Sequence, residues 1–210
     1  ANPAEELARL QRALARSQDR AGAFTLIERL AQPYSQSADV KLVVANAAQA
    51  AGLTARATQE ARAAYALAPD SQRAALTAAQ YLQASDRPAA LALLQDFVKR
   101  HPTVADTRLA YARLLIADNQ FDAARSEFQS LLQADPKNPD LVYSMALLSM
   151  QGKQPADARI YLQRYLELIT QEDGTRAGTR PAEPAYLYLA QIAEDDKQFP
   201  TALEWLRKID

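Results

Sequence analysis

Three X-Pro steps divide this chain of 210 residues at nearly equal intervals: Ala68-Pro69, His101-Pro102 and Asp135-Pro136, 33 and 34 residues apart. Proline lacks the backbone N–H and disfavours helix in the residue before it, so each step marks a helix end and the start of the next. A second break falls near the middle of each interval, at Gly52-Leu53, Ser85-Asp86, Asp118-Asn119-Gln120 and Gly152-Lys153. The repeated unit is therefore a pair of helices of about 14 residues each, joined by a tight turn. Alanine, the best helix former, supplies 45 of the 210 residues against 5 glycines. Valine and isoleucine are sparse and no alternating stretch of strand length stands out. These features predict an all-α chain.

At a unit length near 34 the chain resembles the tetratricopeptide repeat (TPR) family. A unit started at Ala105 places Tyr111 at position 7, Ala112 at 8, Leu115 at 11, Phe121 at 17, Ala124 at 20, Phe128 at 24 and Pro136 at 32. Units begun at Ala38, Ser71 and Pro139 repeat the pattern, and weaker ones begin at Ala4 and Glu183. The resemblance implies a right-handed superhelical solenoid of about six helix pairs, because one pair cannot bury its apolar face without a neighbour. The units run near 4–37, 38–70, 71–104, 105–138, 139–172 and 183–210, as a single array. A Gly-containing insert at 173–182 is expected to be a mobile loop. Two units depart from the pattern at position 4, with Lys41 and Arg108. The end of the chain carries Leu203, Trp205, Leu206 and Ile209 rather than a polar cap, so the array is expected to be part of a longer one.

The residue inventory argues against chemistry. With 24 basic and 25 acidic side chains, nothing suggests a footprint for nucleic acid. No apolar run approaches the ~20 residues that span a bilayer. There is no cysteine, and the single histidine, His101, has no second histidine to share a metal or a catalytic role. No Gly-rich phosphate loop and no G-x-S-x-G elbow occurs. The acidic run Glu194-Asp195-Asp196 before Lys197 reads as a solvated turn. The expectation is a non-enzymatic protein without cofactor or metal.

In TPR proteins, ligand contacts come mainly from positions 2, 5, 9, 12 and 13 of each first helix, lining a concave groove. The resemblance therefore implies partner-binding residues among Leu42, Asn46, Leu82, Leu109, Arg113, Ile116, Tyr143, Leu147, Met150 and Leu187, with Asp106, Arg113 and Asp140 as rim charges. Of the cationic clamp that grips acidic chaperone tails, only Arg113 and Asn46 have counterparts. The run Leu141 to Met150 is apolar all round, which a helix tolerates only when both sides are covered. The implied function is a scaffold or adaptor that holds another protein or peptide segment in an apolar groove. Rival readings are a self-association module forming a homo-oligomer, and a regulatory domain of a larger enzyme or polysaccharide-secretion component. A finer resemblance joins ARIYLQRYLELI and EPAYLYLAQIAEDDKQFPTALEWLRKI to TPR lipoproteins of Gram-negative bacteria, adaptors for carboxy-terminal processing proteases. It implies the bacterial periplasm, with an outer-membrane anchor in a segment not in this chain; the alternative is cytoplasmic.

Overall fold

The computed structural model describes residues 2–171 and 181–209, so the expected loop insert lies outside the described residues except for Pro181 and Ala182. Twelve α-helices and no strand occur among the described residues. They are α1 (Pro3–Leu14), α2 (Arg20–Ala31), α3 (Ala38–Ala50), α4 (Thr54–Leu67), α5 (Gln72–Ser85), α6 (Arg87–Arg100), α7 (Ala105–Ala117), α8 (Phe121–Ala134), α9 (Pro139–Gln151), α10 (Pro155–Gln171), α11 (Glu183–Asp195) and α12 (Phe199–Leu206). The chain is all-α. It divides into two compact bodies, Ala1–Leu114 and Leu115–Asp210. In the first, each helix from α1 to α6 packs on the next, and α3 also meets α1 and α5. In the second the order α8, α9, α10, α11, α12 is again the order of contact.

Local chemistry sets the helix ends. Helices α4, α6 and α8 stop one residue before the X of their X-Pro steps. First helices begin on side-chain caps: Ser37 accepts from the Val40 N–H, Ser71 from Ala74, and Asn138 from Asp140 and Leu141. Four of the six hairpin turns share one device. Gly52, Asn119, Lys153 and Lys197 all have φ between +54° and +78°, and all occupy position 15 of their units. Around each, two backbone bonds form the Schellman pair. At Gly52 they run from Leu53 N–H to Ala48 C=O at 2.9 Å and from Gly52 N–H to Gln49 C=O at 3.0 Å; the other three turns repeat them. The hairpin of α5 and α6 dispenses with it, because Asp86 both ends α5 and caps α6 through the Ala89 N–H.

The interior follows the register. Alanines at positions 8 and 20 (Ala45 with Ala57, Ala78 with Ala90, Ala146 with Ala158) are all fully buried. Position 24 is closed to 0–2% exposure in five units, at Ile27, Ala61, Leu94, Phe128 and Leu162, and opens to 43% in the last, at Leu206. Lys41, which breaks the pattern at position 4, has a local reason. Its ammonium donates to Glu60 at 2.8 Å, and Glu60, only 4% exposed, also meets Arg56 at 3.0 Å. Arg56 in turn donates to Glu28 at 2.7 Å. A carboxylate this deep needs charged partners, so the lysine and the buried glutamate belong together.

Candidate functional site

The first helices carry the residues that sequence reading singles out. In the N-terminal body, α1, α3 and α5 frame an open cavity of about 560 Å³ whose polar lining includes Glu5, Arg9, Arg12, Asp39, Asn46 and Arg73. Arg73 donates to Asp39. The Tyr81 hydroxyl donates to the Asn46 side-chain oxygen at 2.6 Å, and burial pushes the Tyr81 pKa up. Gln72 donates to Asp106 at 3.0 Å, so this expected rim charge is engaged by the neighbouring first helix.

Two expected contacts are corrected. Leu42 and Leu82 are 4% and 3% exposed and belong to the core. Leu42 fills the space beside Ala64 and Ala74, and Leu82 lies on α5 among its buried residues with Ala74, Ala75, Ala78 and Ala79. Asn46 and Arg113 are exposed, and Leu109 is half-buried.

The C-terminal body presents a different face. Ile116, Tyr143, Leu147 and Met150 are half-buried, and Leu187 is 53% exposed. No residue of the run from Leu141 to Met150 is fully exposed, so this stretch of α9 is covered or half-covered on every side. The Tyr143 ring lies 4.9 Å from that of Tyr165, centroid to centroid. Burial, then the neighbouring Tyr188 and Tyr165, raise the Tyr143 pKa. The Tyr165 hydroxyl donates to the Pro181 carbonyl at 3.1 Å, and Trp205 stacks on Tyr186. The result is a face rich in aromatic and aliphatic side chains, suited to apolar contact.

His101 has a structural environment. Its ring packs 4.4 Å from that of Phe97, and its Nε2 lies 3.0 Å from the Asp70 carboxylate that Arg100 also binds. Among the described residues no group of three His, Cys, Asp or Glu side chains is arranged to hold a metal ion. No helix among them is long and apolar enough to cross a membrane.

Sequence reading missed Arg9, Arg12 and Arg73 as lining groups. The signal for Arg73 was present: Asp39 and Arg73 are 34 residues apart, as are Gln72 and Asp106, while Asn46 and Tyr81 are 35 apart. Polar partners one repeat length apart mark side chains that bridge equivalent helices of successive units, first helices in these three pairs and second helices where Arg100 donates to Tyr65.

Comparison with known proteins agrees with this geometry. Tetratricopeptide repeat families match residues 76–139 and 115–177. Comparison with curated proteins returns no match. Solved structures of similar fold include PilW, a widely conserved type IV pilus biogenesis factor, at TM-score 0.68 and 19% identity, covering 100% of this chain and 93% of that one. Pseudomonas aeruginosa PilF follows at TM-score 0.67 and 16% identity, with 97% and 88% covered. YrrB, a TPR protein with an unusual peptide-binding site, has a TM-score of 0.60 and 16% identity, with 81% and 88% covered. At such identities the likeness is one of fold. Matched stretches, helix hairpins and buried alanines at fixed register point the same way: tetratricopeptide repeats occupy residues 76–177 of this chain.

Proposed function

We propose that this protein is a non-enzymatic interaction scaffold that holds a segment of another protein against the first-helix face of its C-terminal body. The observation that carries this reading is the apolar surface on α9 and α11, where Tyr143, Leu147 and Met150 keep part of their surface open and Leu187 is more than half exposed. Aromatic, methionine and leucine side chains on a rigid helical frame supply affinity by burial, and methionine adapts to irregular partners. A peptide-binding site in a protein of this fold, YrrB, supports a peptide or protein ligand. The finer role follows from the resemblance of 158–169 and 183–209 to protease-adaptor lipoproteins: delivery of protein substrates to a processing protease in the bacterial periplasm, with the anchor in a segment outside this chain.

Leu147→Asp and Tyr143→Ala should each abolish capture of partners from the native host while helicity by circular dichroism stays unchanged. Retention of the same partners by both variants would refute the placement.

A further inference from the structure

We propose that the N-terminal body holds a small amphipathic carboxylate, with its apolar tail between α1, α2 and α3 and its headgroup on Arg20. This goes beyond the scaffold reading and does not rest on it. The three helices border an open cavity of about 270 Å³, walled by Leu14, Phe24, Ile27, Ala47 and Ala50, with Gln11 and Arg20 as its polar groups. These walls belong to both helices of the first unit and to the first helix of the next, so the space lies inside the stack of units. The repeat register explains it. Position 10 packs against the preceding hairpin: Ile192 shares a core cluster with Ala158 and Leu162, and Ala47 shares one with Phe24 and Ile27. The last three units place Leu114, Leu148 and Ile192 there, all buried, while the third leaves Gln80 exposed. The second unit has only the methyl group of Ala47. Position 8 departs as well, since it is alanine in the other five units and Gln11 here. Interiors are otherwise packed to the density of organic crystals, and here the missing volume is left as a hole beside large apolar side chains.

Volume and charge choose the occupant. An apolar cavity of about 150 Å³ takes up benzene, so this one suits an apolar group of about ten non-hydrogen atoms. Its walls disfavour a ligand that is polar throughout. Arg20 is exposed and has no carboxylate partner among the described residues. The acid beside it, Asp19, accepts from the Gly22 N–H at 2.8 Å as the cap of α2, which has no acidic residue in its first turn. Arg16, also exposed, adds a second positive charge to the same turn. The excess charge is positive and calls for an anion, and the planar fork of a guanidinium matches a carboxylate. A peptide would bring a row of N–H and C=O groups in need of partners, whereas Gln11 and Arg20 suffice for one headgroup. A medium-chain fatty carboxylate meets both conditions.

The test is isothermal titration calorimetry of the purified chain with octanoate and, as a neutral ligand of equal length, 1-octanol. Both should bind. Arg20→Gln, at an exposed position, should weaken octanoate by about fivefold and leave 1-octanol unchanged. Ala47→Leu gives position 10 the side chain that Leu114 and Leu148 supply in later units. It should weaken both ligands by about tenfold or more, with helicity unchanged. A wild-type chain that binds no octanoate, an octanoate affinity indifferent to Arg20→Gln, or undiminished binding by Ala47→Leu would each overturn the proposal. So would a tetrapeptide ending in leucine that binds more tightly than octanoate, since the cavity would then be a peptide pocket.

Discussion

Between α3 and α6 just over half of the buried side chains are alanines, among them Ala45, Ala61, Ala64, Ala74 and Ala78, whereas from α8 to α11 larger ones predominate, among them Phe128, Met145, Leu148, Leu162, Tyr165 and Ile192. The two bodies share one repeat register and fill it with different volumes. The first-helix faces differ accordingly. In the N-terminal body, small side chains let the helices approach, and polar groups are long enough to bridge from one first helix to the next, as Arg73 does to Asp39 and Tyr81 to Asn46. In the C-terminal body, large side chains fill the interior and extend to the surface, leaving Tyr143, Leu147 and Leu187 with open apolar area. A body that satisfies its surface polar groups internally offers a partner little unsatisfied chemistry. One that leaves apolar area open gains by covering it.

This contrast can be broken at several points. The largest expected effect is at Lys41. Lys41→Met strips one of two cations from the buried Glu60 and should cost about 3 kcal/mol, read as a lower midpoint in urea. Adding Glu60→Met to that variant should recover most of the loss, and a double variant as unstable as the single one would refute the pairing.

Overpacking probes the two interiors next. Ala78→Leu should cost about 3 kcal/mol and Ala124→Leu about 2 kcal/mol, since alanine neighbours have no rotamers with which to make room and larger ones do. Equal losses, or an unchanged melting temperature in either variant, would contradict the difference in packing.

Hydroxyl deletion is a smaller probe. Tyr81→Phe removes the bond to Asn46 and should cost about 1 kcal/mol, while Tyr143→Phe should change stability by less than about 0.5 kcal/mol at neutral pH. Both phenols have pKa values raised by burial. The fold therefore holds their protons more tightly than the unfolded chain does. Their contribution is constant below the ordinary tyrosine value and is lost as pH rises from there through the raised folded values. Both phenylalanine variants should lose less stability than wild type on going to alkaline pH.

The smallest effect concerns the hairpin turns. The N-terminal body uses Gly52 at its left-handed position, and the C-terminal body uses Asn119, Lys153 and Lys197. Lys153→Gly should stabilise by about 0.5–1 kcal/mol, and Gly52→Ala should destabilise by about 1 kcal/mol. Opposite signs in thermal melts are the expected pattern.

Helix positions were legible in the sequence because prolines, caps and buried alanines obey local rules: α3, α7, α9 and α11 begin at Ala38, Ala105, Pro139 and Glu183. The face of each first helix was less legible. Position within a repeat says which way a side chain leaves the helix, and it says nothing of how closely the neighbouring helix approaches. Leu42 went into the core for that reason, drawn in where Ala64 and Ala74 leave room. Lys41 looked like a lapse from the pattern because its partner, Glu60, lies on the other helix of the hairpin. Asp39 with Arg73 could have been found by pairing opposite charges one repeat apart.

The most direct test of the account places a photo-crosslinking phenylalanine analogue at Leu187, on the first-helix face of the C-terminal body, and separately at Ile160, on its second helix. The two side chains are similarly open, at 53% and 62% exposure, so accessibility does not separate them. Irradiation in the native host should yield discrete protein adducts from position 187 that are missing from position 160. Adducts from 160 alone, or the same set from both, would contradict the assignment of the first-helix face as the surface that holds a partner.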